Sequence, residues 1–103
     1  MTKAKSSQTL DQAFAQIEDE LLQIFLKKHQ DYGKGNILSI KELGIIMRIS
    51  EKAERLKNLL MKEAMGEQAA NESIEDSIND IAVYAVIARL YRKGLFQKLE
   101  VKK

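Results

Sequence analysis

Apolar residues recur at helical spacing in three long segments of this 103-residue chain, which contains no proline. Proline in a helix interior removes a hydrogen bond and clashes with the preceding turn, so its absence permits long uninterrupted helices. No segment alternates apolar and polar residues as a half-buried strand does, and no solenoid repeat occurs. The sequence therefore predicts an all-α bundle of three long helices plus a short C-terminal element, completed by oligomerisation.

The boundaries of these helices follow from turn and capping residues. Helices are expected over residues 9 to 30, 39 to 62 and 71 to 93. Ser39 and Glu42 have the spacing of a capping box, and "DYGKGN" at 31 to 36 is expected to form a loop because Gly, Asp and Asn favour turns. Residues 1 to 8 are expected to be a flexible tail, which leaves 9 to 103 as one domain.

Composition limits the classes of site that this chain can contain. It has no cysteine, which argues against disulfides and zinc thiolates, and its single histidine argues against a site that needs two imidazoles. Seventeen basic against fifteen acidic residues leave a net charge of +2, so nucleic acid is not indicated as a partner. The longest apolar run, 81 to 88, is far shorter than a membrane span. These features predict a cytoplasmic protein of a bacterium or a phage-infected host cell, without membrane contact.

The third helix carries acidic residues in an unusual place. Glu72, Asp76 and Asp80 are each one turn apart and therefore share a face. The same face continues into Val83 and Tyr84, so the acids are expected to point toward the interior. Asp80 lies two turns into the helix, beyond the reach of the helix dipole, and Asp is a poor helix former. The presence of Asp80 at this position therefore needs a specific reason.

The second helix carries a second acidic pair, Glu51 and Glu54, with Glu54 expected to lie nearer the core. A short connector favours antiparallel packing of helices two and three, which brings residues 51 to 54 opposite residues 76 to 80.

Clustered carboxylates repel one another by about 4 kcal/mol per close pair at an effective dielectric constant of 20. They must therefore be protonated, pair with basic residues or bind cations such as Mg²⁺. The basic candidates nearby are Arg48, Lys52, Arg55 and Lys57. The simpler alternative is that the acids belong to solvated helix faces, with those near residue 72 favoured by the helix N-terminus. His29, at the end of helix one, is interpreted as a solvated helix-end residue.

Three segments, "DYGKGN", "RISEKAERLKNLL" and "NESIEDSINDIAVYA", resemble the nucleotide-modification-associated domain family of small phage and bacterial proteins. The resemblance covers about residues 28 to 91. More distantly, the acidic helices are similar to the all-α nucleoside triphosphate pyrophosphohydrolases of the MazG and dimeric dUTPase group. In that group E-x-x-E and E-x-x-D pairs hold Mg²⁺. Glu51 and Glu54 match the first pair, whereas Asp76 and Asp80 are four residues apart and depart from the second.

The resemblance implies roles for individual residues. The implied ligands of Mg²⁺, or of Mn²⁺ as an alternative, are Glu51, Glu54, Asp76 and Asp80. Glu54 and Glu72 would be catalytic, with Glu72 or Glu75 as an outer ligand or the group that orients water. The phosphate-binding residues would be Arg48, Lys52, Arg55 and Lys57. Tyr32 and Asn36 would hold the base, and Asn79 or Tyr84 would line the pocket.

Three functions remain open from the sequence. The first is a Mg²⁺-dependent pyrophosphohydrolase acting on a nucleoside triphosphate or a modified nucleotide. The second is a nucleotide-binding protein that sequesters a nucleotide without turnover. The third is a structural helical module. A homodimer or homotetramer is expected under all three, because helix three has more apolar surface than one short chain can cover.

Overall fold

The computed structural model of the protein describes residues 7 to 67 and 71 to 102, and only the backbone at Asn71 and Glu72. Its helices are α1 (Leu10–Tyr32), α2 (Gly35–Ala64), α3 (Asn71–Arg92) and α4 (Leu95–Lys98). No strand occurs within the described residues. The predicted all-α bundle of three long helices and a short C-terminal element is thus confirmed. Within the same ranges, no helix combines the length and apolarity needed to cross a membrane. The predicted tail falls mostly on residues 1 to 6, which lie outside the described ranges.

Helix α1 begins at a capping box and ends at a glycine. The Thr9 hydroxyl accepts a hydrogen bond from the Gln12 backbone N–H, while the Gln12 side chain accepts one from the Thr9 backbone N–H. Gly33, with φ of 68°, ends the helix, and only Gly33 and Lys34 separate α1 from α2. The loop predicted over residues 31 to 36 is therefore longer than the observed connection of two residues. A short connection is possible because Gly33, with its positive φ, turns the chain sharply.

Helix α2 begins four residues before the predicted capping box. The Ser39 hydroxyl donates to the Asn36 carbonyl at 2.9 Å, and the Glu42 carboxylate accepts a hydrogen bond from Arg92 at 2.8 Å. The capping box predicted at Ser39 and Glu42 is therefore wrong. Both side chains have other partners, and Ser39 lies inside the helical segment that begins at Gly35, so no free helix N-terminus exists at Ser39.

A kink interrupts α2 at Lys41, where φ is 61° and ψ is −173°. This conformation is adopted almost only by glycine. The kink presses two side-chain positions together, since a Cβ atom on Gly44 would lie 2.4 Å from the Cβ of Ile40. Gly44 is thus the residue that makes room for the bend.

Helix α3 is the central element, and α1, α2 and α4 all pack on it. Arg92 pairs with Glu42 near one end of the α2–α3 contact, and Asp80 pairs with Lys52 farther along. Because residue numbers rise along α2 as they fall along α3, the two helices are antiparallel. The Lys52–Asp80 pair therefore confirms the predicted antiparallel packing and places residues 51 to 54 near Asp80, as expected.

The core lies toward one end of the bundle. Its buried residues are Ile37, Ile45, Val83, Ile87 and Phe96. The first half of α1, residues 10 to 20, and the last part of α2, residues 50 to 64, contain no buried residue. The radius of gyration is 16.6 Å, whereas about 13 Å is typical of a compact domain of this length. The single chain therefore leaves two helix segments extending beyond its core.

Candidate functional site

A cavity of about 180 Å³ lies where the end of α1 meets the start of α2, the middle of α3 and α4. It is lined by Phe25, Lys28, His29, Tyr32, Gly33, Asn36, Ile37, Asp80, Val83, Tyr84, Ile87 and Phe96. Pockets that enclose a whole small-molecule ligand usually measure about 300 to 1,000 Å³. This cavity is therefore suited to one ring system, with the rest of a ligand outside it.

Aromatic side chains form one wall of the cavity. The rings of Phe25 and His29 have centroids 5.4 Å apart with 31° between their planes. Phe96 meets His29 edge-on, at 6.4 Å and 85°. Tyr32 is 70% exposed and stands at the rim, while Tyr84 is half-buried. Such rings can stack on a flat ligand ring or contact it edge-on.

Charged groups lie at the α1 and α3 side of the cavity. One oxygen of the Asp80 carboxylate, Oδ1, lies 3.1 Å from the Lys28 ammonium, and the other, Oδ2, lies 3.1 Å from the Lys52 ammonium. The Asp80 side chain is 22% exposed. Burial alone would raise the pKa of this carboxyl, but hydrogen bonds and charge attraction from Lys28 and Lys52 outweigh it and hold the pKa below its ordinary value. Asp80 is therefore ionised at neutral pH, and it holds two ammonium groups together.

The chain after α4 is tied back to the α1–α2 connection through Lys34. The Lys34 ammonium pairs with Glu100 at 3.1 Å, donates to the Leu99 carbonyl and lies 5.7 Å from the centroid of the Phe96 ring. Its side chain is mostly buried. These contacts hold Phe96 in place as a wall of the cavity.

The structure brings some of the predicted site residues to the cavity and leaves others in solvent. Tyr32, Asn36 and Tyr84 line the cavity, and Lys52 reaches Asp80 beside it. The residues left exposed are Arg48, Glu51, Glu54, Arg55, Lys57 and Asp76. Glu54 is 64% exposed and lies 3.7 Å from Lys57, so its side chain lies in solvent. The side chain of Glu72 lies outside the described residues.

The carboxylates do not converge in the described part of the chain, where no three acidic or histidine side chains form a group that could hold a metal ion. Of the three outcomes considered for clustered acids, Asp80 shows pairing with basic residues. Arg48 and Arg55 form no ion pair within the described ranges, while Lys28, which the sequence reasoning did not consider, does. The Mg²⁺ ligand set stays a prediction.

Sequence reasoning missed most of the α1 side of the cavity. Phe25, Lys28, His29 and Tyr32 stand at positions i, i+3, i+4 and i+7, a spacing that places all four on one helix face. That spacing was the signal that could have found them. His29 is half-buried between two aromatic rings, so its interpretation as a solvated helix-end residue is wrong. Phe96 gave no comparable local signal.

Comparisons of the chain with protein-family models, with curated proteins and with solved structures found no match.

Proposed function

We propose that this protein binds a nucleotide, with the base in the aromatic cavity and the phosphates beside Lys28 and Lys52. The observation that carries the proposal is the joining of a ring-sized, aromatic-walled cavity to a pair of ammonium groups held by Asp80. The two parts of a nucleotide match the two parts of this site, because the base is flat and weakly polar and the phosphates are anionic.

The cavity offers both stacking and hydrogen bonding to a base. Aromatic side chains stack on nucleobases of any kind, because every base has a π face. Ile37, Val83 and Ile87 supply an apolar surface around the ring. The side-chain amide of Asn36 can donate and accept hydrogen bonds, which suits the edge of a base.

The lysines differ in their freedom to meet a phosphate. The Lys28 side chain is 53% exposed, whereas that of Lys52 is 33% exposed. An ammonium on a flexible stem binds phosphate as a point charge. Lys28 can therefore turn from Asp80 toward a phosphate while Lys52 keeps the carboxylate neutralised. Arg48 and Arg55 are exposed and share a helix face with Lys52, so they would attract the anionic ligand toward it.

Mg²⁺-dependent hydrolysis to a monophosphate and pyrophosphate is a second candidate. It is favoured by the register of the helices, since the Lys52–Asp80 pair sets the helix of Glu51 and Glu54 beside the helix of Asp76 and Asp80. Carboxylates are ligands that Mg²⁺ prefers, and catalysis of phosphoryl transfer rests on positioning and charge neutralisation rather than on a nucleophilic side chain.

The test is a thermal melt and calorimetric titration with a panel of canonical and modified nucleotides, with Mg²⁺ or with EDTA. We expect at least one nucleotide to raise the melting temperature, and Lys28→Gln to weaken its binding about tenfold. Lys27→Gln is the matched control, because Lys27 is an exposed neighbour that does not line the cavity. No binding by any nucleotide, or equal loss in both variants, would refute the proposal.

Product analysis of the same mixtures separates the two candidates. A nucleotide recovered intact after long incubation with Mg²⁺ supports binding without turnover. Release of pyrophosphate that is abolished by EDTA and by Asp76→Asn supports the hydrolase, because Asp76 forms no ion pair within the described ranges and its change leaves the Asp80 pairs intact.

A further inference from the structure

The first half of α1 presents an apolar stripe that nothing in the described chain covers. Leu10, Phe14 and Ile17 are 86%, 66% and 52% exposed. The stripe continues along the same face to Leu21 and Phe25, which pack against the core. One continuous apolar face therefore packs against the core at its C-terminal end and is exposed to solvent at its N-terminal end. Contiguous exposure of large apolar side chains is uncommon in a monomer.

A second uncovered apolar surface lies on the last part of α2. It is an open groove lined by Ala53, Leu56, Lys57, Leu60, Met61 and Ala64. Leu60 and Met61 are 44% and 54% exposed. Small alanines between larger side chains leave a depression into which the side chains of another helix can fit.

The groove is long enough to hold the uncovered part of the stripe. The stripe is uncovered from Leu10 to Ile17, over eight residues, and the groove from Ala53 to Ala64 spans twelve. At 1.5 Å per residue these lengths are about 12 Å and about 18 Å.

The two segments also carry opposite charge. Residues 10 to 21 contain four acidic residues and no basic one, whereas residues 53 to 64 contain three basic and two acidic residues. Opposite potentials across an interface speed association and select the partner. The stripe and the groove are therefore both apolar, and the segments that carry them have net charges of opposite sign.

We propose that a second copy of this chain covers both surfaces, with the first half of α1 of each copy packed in the α2 groove of the other. Within the described part of one chain both surfaces stay exposed, and α1 packs instead on α3. A two-fold symmetric dimer makes the same contact twice, so each pairing of stripe with groove is repeated by symmetry. This dimer is independent of whether a nucleotide binds in the cavity.

The test begins with sedimentation velocity across a range of protein concentrations. We expect a dimer whose dissociation constant rises at least tenfold in Phe14→Glu and in Leu60→Lys. Leu22→Glu is the matched control, since Leu22 is 49% exposed on the same helix but lies about 100° from the stripe residue Leu21. Circular dichroism checks that each variant keeps its helices, which is expected because the changed side chains are exposed.

A mixture of the two weakened variants gives the decisive measurement. A mixed dimer of Phe14→Glu with Leu60→Lys has one unaltered stripe–groove contact and one contact in which Glu faces Lys. Either variant alone has both contacts damaged. We therefore expect the mixture to form more dimer than either variant at the same total concentration. A monomeric wild type, equal weakening by Leu22→Glu, or no gain on mixing would each overturn the proposal.

Discussion

Replacing Asp80 with Asn removes one negative charge that two lysines share. The carboxylate lies 3.1 Å from both Lys28 and Lys52, and its side chain is 22% exposed. Asn has nearly the same shape and still accepts hydrogen bonds, so the change tests charge rather than packing. It also leaves two ammonium groups close together without an anion between them.

The size of the effect follows from the exposure of each pair. Exposed ion pairs contribute about 0.2 to 1 kcal/mol, and the Lys28 pair, with Lys28 half-exposed, belongs in the lower part of that range. The Lys52 pair is better shielded from water and belongs at the upper end. We expect Asp80→Asn to lower the free energy of unfolding by about 1 to 2 kcal/mol at pH 7. For a domain of this size, where 1 kcal/mol shifts the melting temperature by about 4 to 8 °C, the melting temperature would fall by about 4 to 16 °C.

The loss of stability caused by Asp80→Asn should become smaller as the pH falls. The pKa of the Asp80 carboxyl is lower in the folded protein than its ordinary value of about 3.9 in an unfolded chain. Its contribution to stability is therefore fully present above the unfolded value and is lost as pH falls through the folded one. The difference between wild type and Asp80→Asn should narrow below about pH 4.

The assay is urea denaturation of both proteins at pH 7 and at pH 3, followed by circular dichroism. Asp76→Asn is the control, because Asp76 is an exposed carboxylate on the same helix with no ion pair in the described ranges, and it should change stability by less than about 0.5 kcal/mol. An Asp80→Asn variant as stable as wild type at pH 7, or a deficit that does not shrink at pH 3, would refute the reasoning.

Two further substitutions test the fold around the cavity. Gly44→Ala should lower the stability of the protein in urea denaturation by about 1 to 3 kcal/mol, because the added Cβ would lie 2.4 Å from that of Ile40. Helix propensity alone predicts the opposite, a gain in stability of up to about 1 kcal/mol. Gly35→Ala is the control, since nothing lies within 4 Å of its added Cβ, and equal stability of the two variants would contradict the kink at Lys41. Phe96→Ala should cost about 3 to 5 kcal/mol in a thermal melt, because Phe96 is only 5% exposed and closes the cavity. The exposed neighbour Lys98 can be changed to Ala with little effect, and a mild loss in Phe96→Ala would show that α4 is not docked in solution.

The helices and their central element could be predicted from the sequence because they depend on local patterns. Helical spacing of apolar residues places three long helices, and apolar residues on both flanks of α3 predict that it is surrounded. The placement of Asp80 two turns into α3 indicated that this residue is there for a specific reason, and in the structure it pairs with two lysines. Helix ends could be predicted less well from local patterns. The spacing of Ser39 and Glu42 is that of a capping box, but in the structure Ser39 bonds to Asn36 and Glu42 to Arg92.

The sequence by itself determined which residues share a helix face, because that follows from 3.6 residues per turn. Only the tertiary structure decided which faces meet. Lys28 and Asp80 are 52 residues apart in the chain, and Lys34 reaches Glu100 across 66 residues. Such contacts depend on the angle and depth at which helices pack, which are set by the side chains of all elements together and not by any local pattern. The cavity exists for the same reason, since α4 brings Phe96 to His29 only after α3 has turned the chain back toward α1.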